Sequence, residues 1–316
     1  MKKSYHQTSR RRPSGAVGKN RLWTAWTDLC AARLLPRIVA ETRRPVARPK
    51  FHPTPEKWDD NGITAAWLGH STVLINFFGV TILTDPVLFR RVGADLRIGT
   101  VGPKRLIEPA LTVRQLPPID LIVLSHAHMD HLDLPTLKRF SASTRVVTAR
   151  ATGDILHRTR LRSVTALGWG EKETISTANG SVHVRAFEVK HWGARWRRDT
   201  YRGYNGYVLS REGKKIIFGG DTAMSDSFKA LRTHGPYQLA IMPIGAYQPW
   251  VCSHCTPEQS VRMANEAGAR YFLPIHHQTF SLGQEGPAEP INRLEAALES
   301  KRLALRDVGE TFSTTG

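Results

Sequence analysis

The chain has 316 residues, 41% hydrophobic and 23% charged, a globular balance that excludes an intrinsically disordered protein. Its apolar runs fall far short of the roughly 18 residues a membrane-crossing helix needs, and 3 cysteines are too few for a disulfide-built scaffold. The formal charge of +18 is concentrated at one end: residues 1–50 hold 13 Lys and Arg against 2 Asp and Glu, so most of the basic excess says little about the chemistry downstream. Residues 1–20, MKKSYHQTSRRRPSGAVGKN, are polar and basic without periodicity and read as a disordered arm. No apolar stretch of ~7–15 residues follows the first charges, so no secretory signal is expected. From Leu22 to Val39, Trp23, Trp26, Cys30, Leu34 and Ile38 recur at three- or four-residue spacing, which predicts an amphipathic helix broken or kinked at Pro36. Arg33, Arg37, Arg43 and Arg44 surround it. It reads first as a helix packed on the domain; the alternative is a basic surface resting on anionic lipid. A Pro-rich linker, ARPKFHPTPEKWDD, completes a segment covering residues 1–61.

From Gly62 onward the pattern changes to short β-like runs. ITAAWLG, TVLINFFG, VTILTDP, LIVLS, RVVTA, VHVRAFEV, YNGYVLS, KKIIFGGD, QLAIMPIG and RYFLPIH follow in order. Helical stretches lie between some of them: LPTLKRFS, SDSFKALRTHG, PEQSVRMANEAG and PINRLEAALESKR. Strands that first meander and then alternate with helices predict one mixed α/β domain over residues 62–316, with no internal repeat.

The stretch LIVLSHAHMDHLD, residues 121–133, concentrates the chemistry. A buried hydrophobic run ends at Ser125, and His126, His128, Asp130 and His131 follow within six positions. Two residues apart in extended chain, His126 and His128 project to one side, while Asp130 and His131 reach another point. Imidazole and carboxylate bind zinc and its neighbours at ~2.0–2.2 Å. This many donors exceeds the needs of one catalytic ion and favours two. The plain alternative, a solvated His-rich loop, suits a lone His better than this cluster. Three further strand-like runs end in a candidate ligand: VHVRAFEVKH in His191, KKIIFGGD in Asp221 and RYFLPIH in His276. Asp221 can bridge two ions with its two oxygens. Gly219 and Gly220 before it would let the backbone come close.

HAHMDH matches the H-x-H-x-D-H signature of the metallo-β-lactamase superfamily, and His191, Asp221 and His276 fall in that family's order. WLGHSTVLINFFGVTILTDP, GPKR, GDT, PIGAY and IHHQTF resemble the subgroup containing N-acyl-phosphatidylethanolamine phospholipase D and its bacterial relatives, over nearly all of residues 62–290. The resemblance implies an α/β fold, the four-layer αβ/βα sandwich, with metals between the sheet edges. It implies two Zn²⁺ ions, with Mn or Fe as alternatives. His126, His128 and His191 would hold one, Asp130, His131 and His276 the other, and Asp221 would bridge them. It implies that Asp85, in LTDP, supports the ligands from behind, although an Asp before Pro86 also forms turns. His70, in WLGHST, fits the subgroup in a structural hydrogen-bonding role. His254, in CSHCTPEQ, matches a histidine lining the substrate pocket, where it would orient the substrate or protonate the leaving group. Asp130, Asp221 and His254 are thus the implied catalytic residues.

Cys252 and Cys255 flank His254 and depart from the family pattern. With no second C-x-x-C to complete a Cys₄ site, they read as reduced, incidental thiols. In HWGARWRRDTYRGY, residues 191–204, Arg195, Arg197, Arg198 and Arg202 interleave with Trp192, Trp196, Tyr201 and Tyr204. Beside a metal centre such a loop can hold a phosphate by charge-assisted hydrogen bonds, with Arg197 and Arg198 as the substrate-binding candidates; the alternative is a solvated basic loop. The leading expectation is a two-metal hydrolase of phosphodiesters, with phospholipids as substrate class. A lactonase or other ester hydrolase of the same fold is the first alternative. A nucleic-acid-binding protein acting through the basic arm is the second; no recognised module accompanies the arm, so no specific nucleic acid is expected. The protein reads as cytoplasmic, with peripheral membrane contact left open.

Overall fold

In the computed structural model, residues 42–96 and 99–315 are described. The basic arm and the expected helix over Leu22–Val39 lie outside them. The chain divides into two units, Met1–Arg44 and Pro45–Gly316, and every element below belongs to the second. The stretch ARPKFHPTPEKWDD, residues 47–60, read from the sequence as linker, sits in this unit. Ala47 bridges to Ile107, and Trp58 packs on the hydrophobic core.

Among the described residues fifteen strands form the framework. The first half runs β1 (Gly62–Gly69), β2 (Thr72–Phe77), β3 (Val80–Thr84), β4 (Ala94–Leu96), β5 (Gly99–Val101), β6 (Leu121–Val123), β7 (Arg145–Ala149) and β8 (Ser163–Leu167). The second runs β9 (Lys172–Thr177), β10 (Gly180–Phe187), β11 (Gly206–Arg211), β12 (Lys214–Phe218), β13 (Tyr237–Pro243), β14 (Ala269–Ile275) and β15 (Thr311–Thr315). One seven-stranded sheet has the order β15-β1-β2-β3-β6-β7-β8, and a six-stranded sheet has β14-β13-β12-β11-β10-β9. β4 and β5 form a separate hairpin. In each sheet the antiparallel meander gives way to parallel pairs, β3 with β6 and β12 with β13. A parallel pair needs a long crossover: Ser227–Leu231 is helical between β12 and β13, while β3 reaches β6 through the β4–β5 hairpin and a 3-10 turn at Val113–Gln115.

The main core lies between the sheets, where Ile63, Trp67, Ile75, Ile82 and Leu121, on one face by strand register, meet Val184, Leu209, Ile216, Leu239 and Leu273 of the other sheet. Helices cover the outsides. The described ones are α1 (Leu134–Leu137), α2 (Gly153–Leu156), α3 (Ser227–Leu231), α4 (Pro257–Ala267) and α5 (Glu289–Ala297). A second cluster joins Phe228, Val261, Ala264 and Leu294 of α3, α4 and α5 to Val208, Ile217, Ala240 and Phe272 on the outer face of the six-stranded sheet. α4 shows how local sequence sets an element. Thr256 caps it by accepting from the Gln259 N–H, Pro257 opens it, and Gly268 closes it at φ 81°. Helices thus face outward on a two-sheet core, as expected for the αβ/βα sandwich. Among the described residues no helix is long and apolar enough to cross a membrane.

The sequence reading missed β8, β9, β15 and the β4–β5 hairpin. β8 and β9 are mostly exposed or half-buried, so backbone pairing rather than a hydrophobic stripe makes them strands. LPTLKRFS keeps only one helical turn, α1.

Candidate metal centre

Each sequence-identified donor follows the C-terminal end of a strand on the same rim. β6 leads into His126 and His128, β10 into His191, β12 into Asp221 and β14 into His276. β1 and β3 end immediately before His70 and Asp85. Three of these residues occupy the left-handed region that side chains other than glycine's rarely adopt: His70 at φ 54°, Asp85 at φ 30° and His276 at φ 65°. Such conformations cost on the order of 1–3 kcal/mol each and gather where surrounding structure imposes them for function. Gly220, at φ +56°, has a more direct reason: a Cβ there would stand 2.6 Å from the Ser125 Cβ.

The donors converge in two groups. His126, His128, His191 and Asp221 form one; His70, Asp130, His131 and His276 form the other; within each, the ligand atoms lie within 4.8 Å of one another. Asp221 Oδ2 sits between them. It is 3.1 Å from both His131 Nε2 and His276 Nε2, 3.7 Å from His191 Nε2 and 3.9 Å from His126 Nε2. Asp130 Oδ2 is 3.5 Å from His131 Nε2 and 3.6 Å from His276 Nε2. Ligands about 2.1 Å from a tetrahedral ion stand roughly 3.4 Å apart, so these spacings suit a shared cation. Protein partners do not account for them: His131 Nε2, Asp221 Oδ1 and both ring nitrogens of His276 are buried without a hydrogen bond. Buried polar atoms are rarely left so, and cations would satisfy them.

Electrostatics point the same way. Burial pushes the His126 and His191 imidazoles well below their usual range, and His128 down to about 4, which leaves neutral rings with free lone pairs. At His131 and His276 burial acts in the same direction but is outweighed by Asp221 and Asp130, which raise His131 well above its usual range and His276 to about 9. Against their own burial, Asp130 and Asp221 are held well below the usual carboxylate range by these histidines. The carboxylates demand positive charge beside these imidazoles.

A hydrogen-bonded layer holds the donors in place. Asp85 Oδ2 lies 2.7 Å from His131 Nδ1 and accepts from the Ser125 hydroxyl at 2.5 Å, and its Oδ1 accepts from the Ser125 N–H at 2.7 Å. The Ser125 Oγ is 2.8 Å from His126 Nδ1. His191 Nδ1 lies 2.9 Å from the Ser253 carbonyl. Fixing the distal ring nitrogen this way sets tautomer and orientation. His70, read as structural, lies inside the second donor group with Nε2 3.0 Å from Asp130 Oδ2, and its carbonyl accepts from the Trp67 indole and the His276 N–H.

His254 is buried with Nδ1 unpartnered, 3.9 Å from Asp221 Oδ2. The sequence reading passed over the contacts of Trp192, whose ring packs on His128 at 4.7 Å and His191 at 4.4 Å and so covers the first donor group; only its place beside His191 hinted at this. Ser253 acts through its backbone, which carries no sequence signal. Cys252 is exposed, Cys255 is buried with its thiol on the Pro243 carbonyl, and both are free. The arginine-rich loop divides. Arg195 donates to the carbonyls of Ala127 and Leu132. Arg202 binds Asp199, Asp154 and the Ala151 carbonyl. Arg197 and Arg198 are exposed.

A family model described as a beta-lactamase superfamily domain matches residues 81–277. An N-acyl-phosphatidylethanolamine-hydrolyzing phospholipase D of Caenorhabditis elegans is 30% identical over 257 residues, 77% of this chain and 71% of the relative. A metal-dependent hydrolase of Listeria innocua is 25% identical, over 77% of this chain and 96% of its own length. Among solved structures, a metallo hydrolase from the archaeon Ignicoccus hospitalis shares the fold at a TM-score of 0.60 and 19% identity, covering 80% of this chain and 99% of that one.

Proposed function

This chain belongs to the β-lactamase superfamily and is a metal-dependent hydrolase of that fold, and from that premise we propose that it cleaves phosphodiester bonds in phospholipids of the N-acyl-phosphatidylethanolamine type. The observation that carries the reading is one carboxylate, Asp221, standing between two donor groups in a chain 30% identical to a phospholipase D of that specificity. His126, His128 and His191 would hold one divalent ion and Asp130, His131 and His276 the other, with Asp221 common to both; zinc fits this nitrogen–oxygen donor set. Such a pair of ions, when bound, lowers the pKa of water toward neutrality and neutralises charge developing on phosphate oxygens.

The chain's own residues do the rest. Asp85 and the Ser253 carbonyl hold His131 and His191 in place through their ring nitrogens. His254 turns an unpartnered ring nitrogen toward Asp221 and is placed to orient a phosphate ester. Trp192 lies over His128 and His191 and excludes water from one side of the site.

The test combines elemental analysis with a panel of soluble phosphodiesters, lactones and phospholipid vesicles. The expected result is about two divalent ions per chain and turnover of phosphodiesters above lactones, with Asp221→Ala and His128→Ala losing metal and activity together. Preferential lactone turnover would make the chain a lactonase of the same fold. Undiminished turnover in metal-free protein would end the proposal.

A further inference from the structure

On the outer face of the six-stranded sheet, α3, α4 and α5 cover only part of the surface. Their side chains pack on Val208, Ile217 and Ala240. The row that contains those residues continues outward through Arg185 opposite Val208 and Lys172 opposite Arg185. The neighbouring row is Lys215, Ser210, His183 and Thr174, again in direct register. Directly opposed residues share a face, so Lys172, Arg185 and Lys215 come together on this outer face. A groove of about 210 Å³ lies there, lined by Lys172, His183, Arg185, Lys215, His234 and Tyr237 among others, and no carboxylate among the described residues lines it.

Like charges directly opposed across a ladder destabilise a sheet, yet Lys172 and Arg185 are such a pair. Among the described residues neither makes an ion pair with an acid. Lys215 donates only to the His234 carbonyl, and the His183 ring meets Thr174. The groove is also separate from the metal centre. Lys215 precedes Asp221 by six positions along β12 and its turn, up to about 20 Å at 3.3 Å per residue.

We propose that this groove binds a small phosphorylated molecule, its phosphate held by Lys172, Arg185 and Lys215 and its organic part lying against Val208 and Tyr237. Charge complementarity argues for it: the basic N-terminal segment carries the same sign as the groove, as would a second copy of a chain with formal charge +18, so neither is a fitting occupant. The limited volume favours a small molecule over a polymer. The inference does not depend on the reaction at the metals.

The full chain is titrated calorimetrically with inorganic phosphate, glycerol phosphate and a short DNA duplex, alongside Lys172→Gln/Arg185→Gln and His128→Ala. Saturable, salt-sensitive binding of the two phosphates is expected, at least tenfold weaker in the double variant and unchanged in His128→Ala. The double variant should also melt higher than the parent without phosphate, because the opposed charges are gone, and lose the parent's upward shift when phosphate is added. Equal phosphate affinity in parent and double variant would overturn the proposal. So would binding lost only in His128→Ala, which would place the phosphate at the metals, or binding of the duplex without either small phosphate.

Discussion

Asp221 joins the two donor groups because a single oxygen, Oδ2, faces imidazoles from His126, His131, His191 and His276 within 3.1–3.9 Å. Asp85 acts one step further out. It touches His131 and, through Ser125, His126, so one carboxylate orients a donor in each group. Outer partners of this kind typically govern 10–100-fold in metal affinity. Asp85→Ala is therefore expected to keep the fold, weaken metal binding by about that factor, and recover activity at raised metal concentration; competition with a chromogenic chelator measures it. The donors were legible in the sequence because HAHMDH crowds them together and because His191, Asp221 and His276 each close a strand-like run. His70 was visible as a residue but not as a neighbour of Asp130. Sixty positions separate them, and only the packing of β1 beside β6's outgoing loop closes the gap.

The loop that leaves β10 through His191 shows what an element can hide. Its four arginines look alike in sequence, yet they divide into braces and exposed cations. Arg202 is buried and holds the buried Asp199 at 2.6 Å and both oxygens of Asp154. Removing one partner of a buried pair leaves the other charge uncompensated, which costs about 3 kcal/mol or more. Arg202→Met is expected to lose about that much in urea unfolding. The Arg202 guanidinium also holds the Asp154 carboxyl below its usual range. A depressed carboxylate contributes stability that is present above its unfolded pKa, about 3.9, and is lost as pH falls through the lower folded value. Below about pH 4, Arg202→Met should therefore lose stability less steeply than the parent; Asp154 is largely solvent-exposed, so this part of the effect is small. Arg197 and Arg198 differ. Neutralising both should leave the melting temperature in place and raise KM several-fold for anionic phospholipid vesicles. An unchanged KM would mark them as ordinary surface. In the same way β8 and β9 were invisible to periodicity. They are edge-side strands with few buried positions, and hydrogen bonding to a neighbour, not a hydrophobic stripe, makes them strands.

At the scale of the whole molecule, the two sheets press a shared core between them while their strand ends deliver donors to one rim. The two donor groups gather the four carboxylate oxygens of Asp130 and Asp221 and six imidazoles in largely buried space, a state that calls for cations. A ligand that binds only the folded chain stabilises it by RT ln(1 + [L]/Kd), about 4 kcal/mol at a thousandfold excess over Kd. Chelation should thus lower the calorimetric melting temperature and zinc should restore it, whereas Asp221→Ala should melt at nearly the same temperature with and without chelator.

The sequence alone determined the chemistry: donor types, their order, the strand runs that carry them, and the family whose signature they match. It could do so because period-two hydrophobic runs and clustered histidines are local patterns. Only the tertiary structure decided which donors meet, that His70 stands among them, that Arg195 and Arg202 are braces rather than phosphate ligands, and that Lys172 and Arg185 face one another. Those facts depend on sheet register and on loops closing over dozens of residues, and contact across such separations leaves no local trace in the order of amino acids.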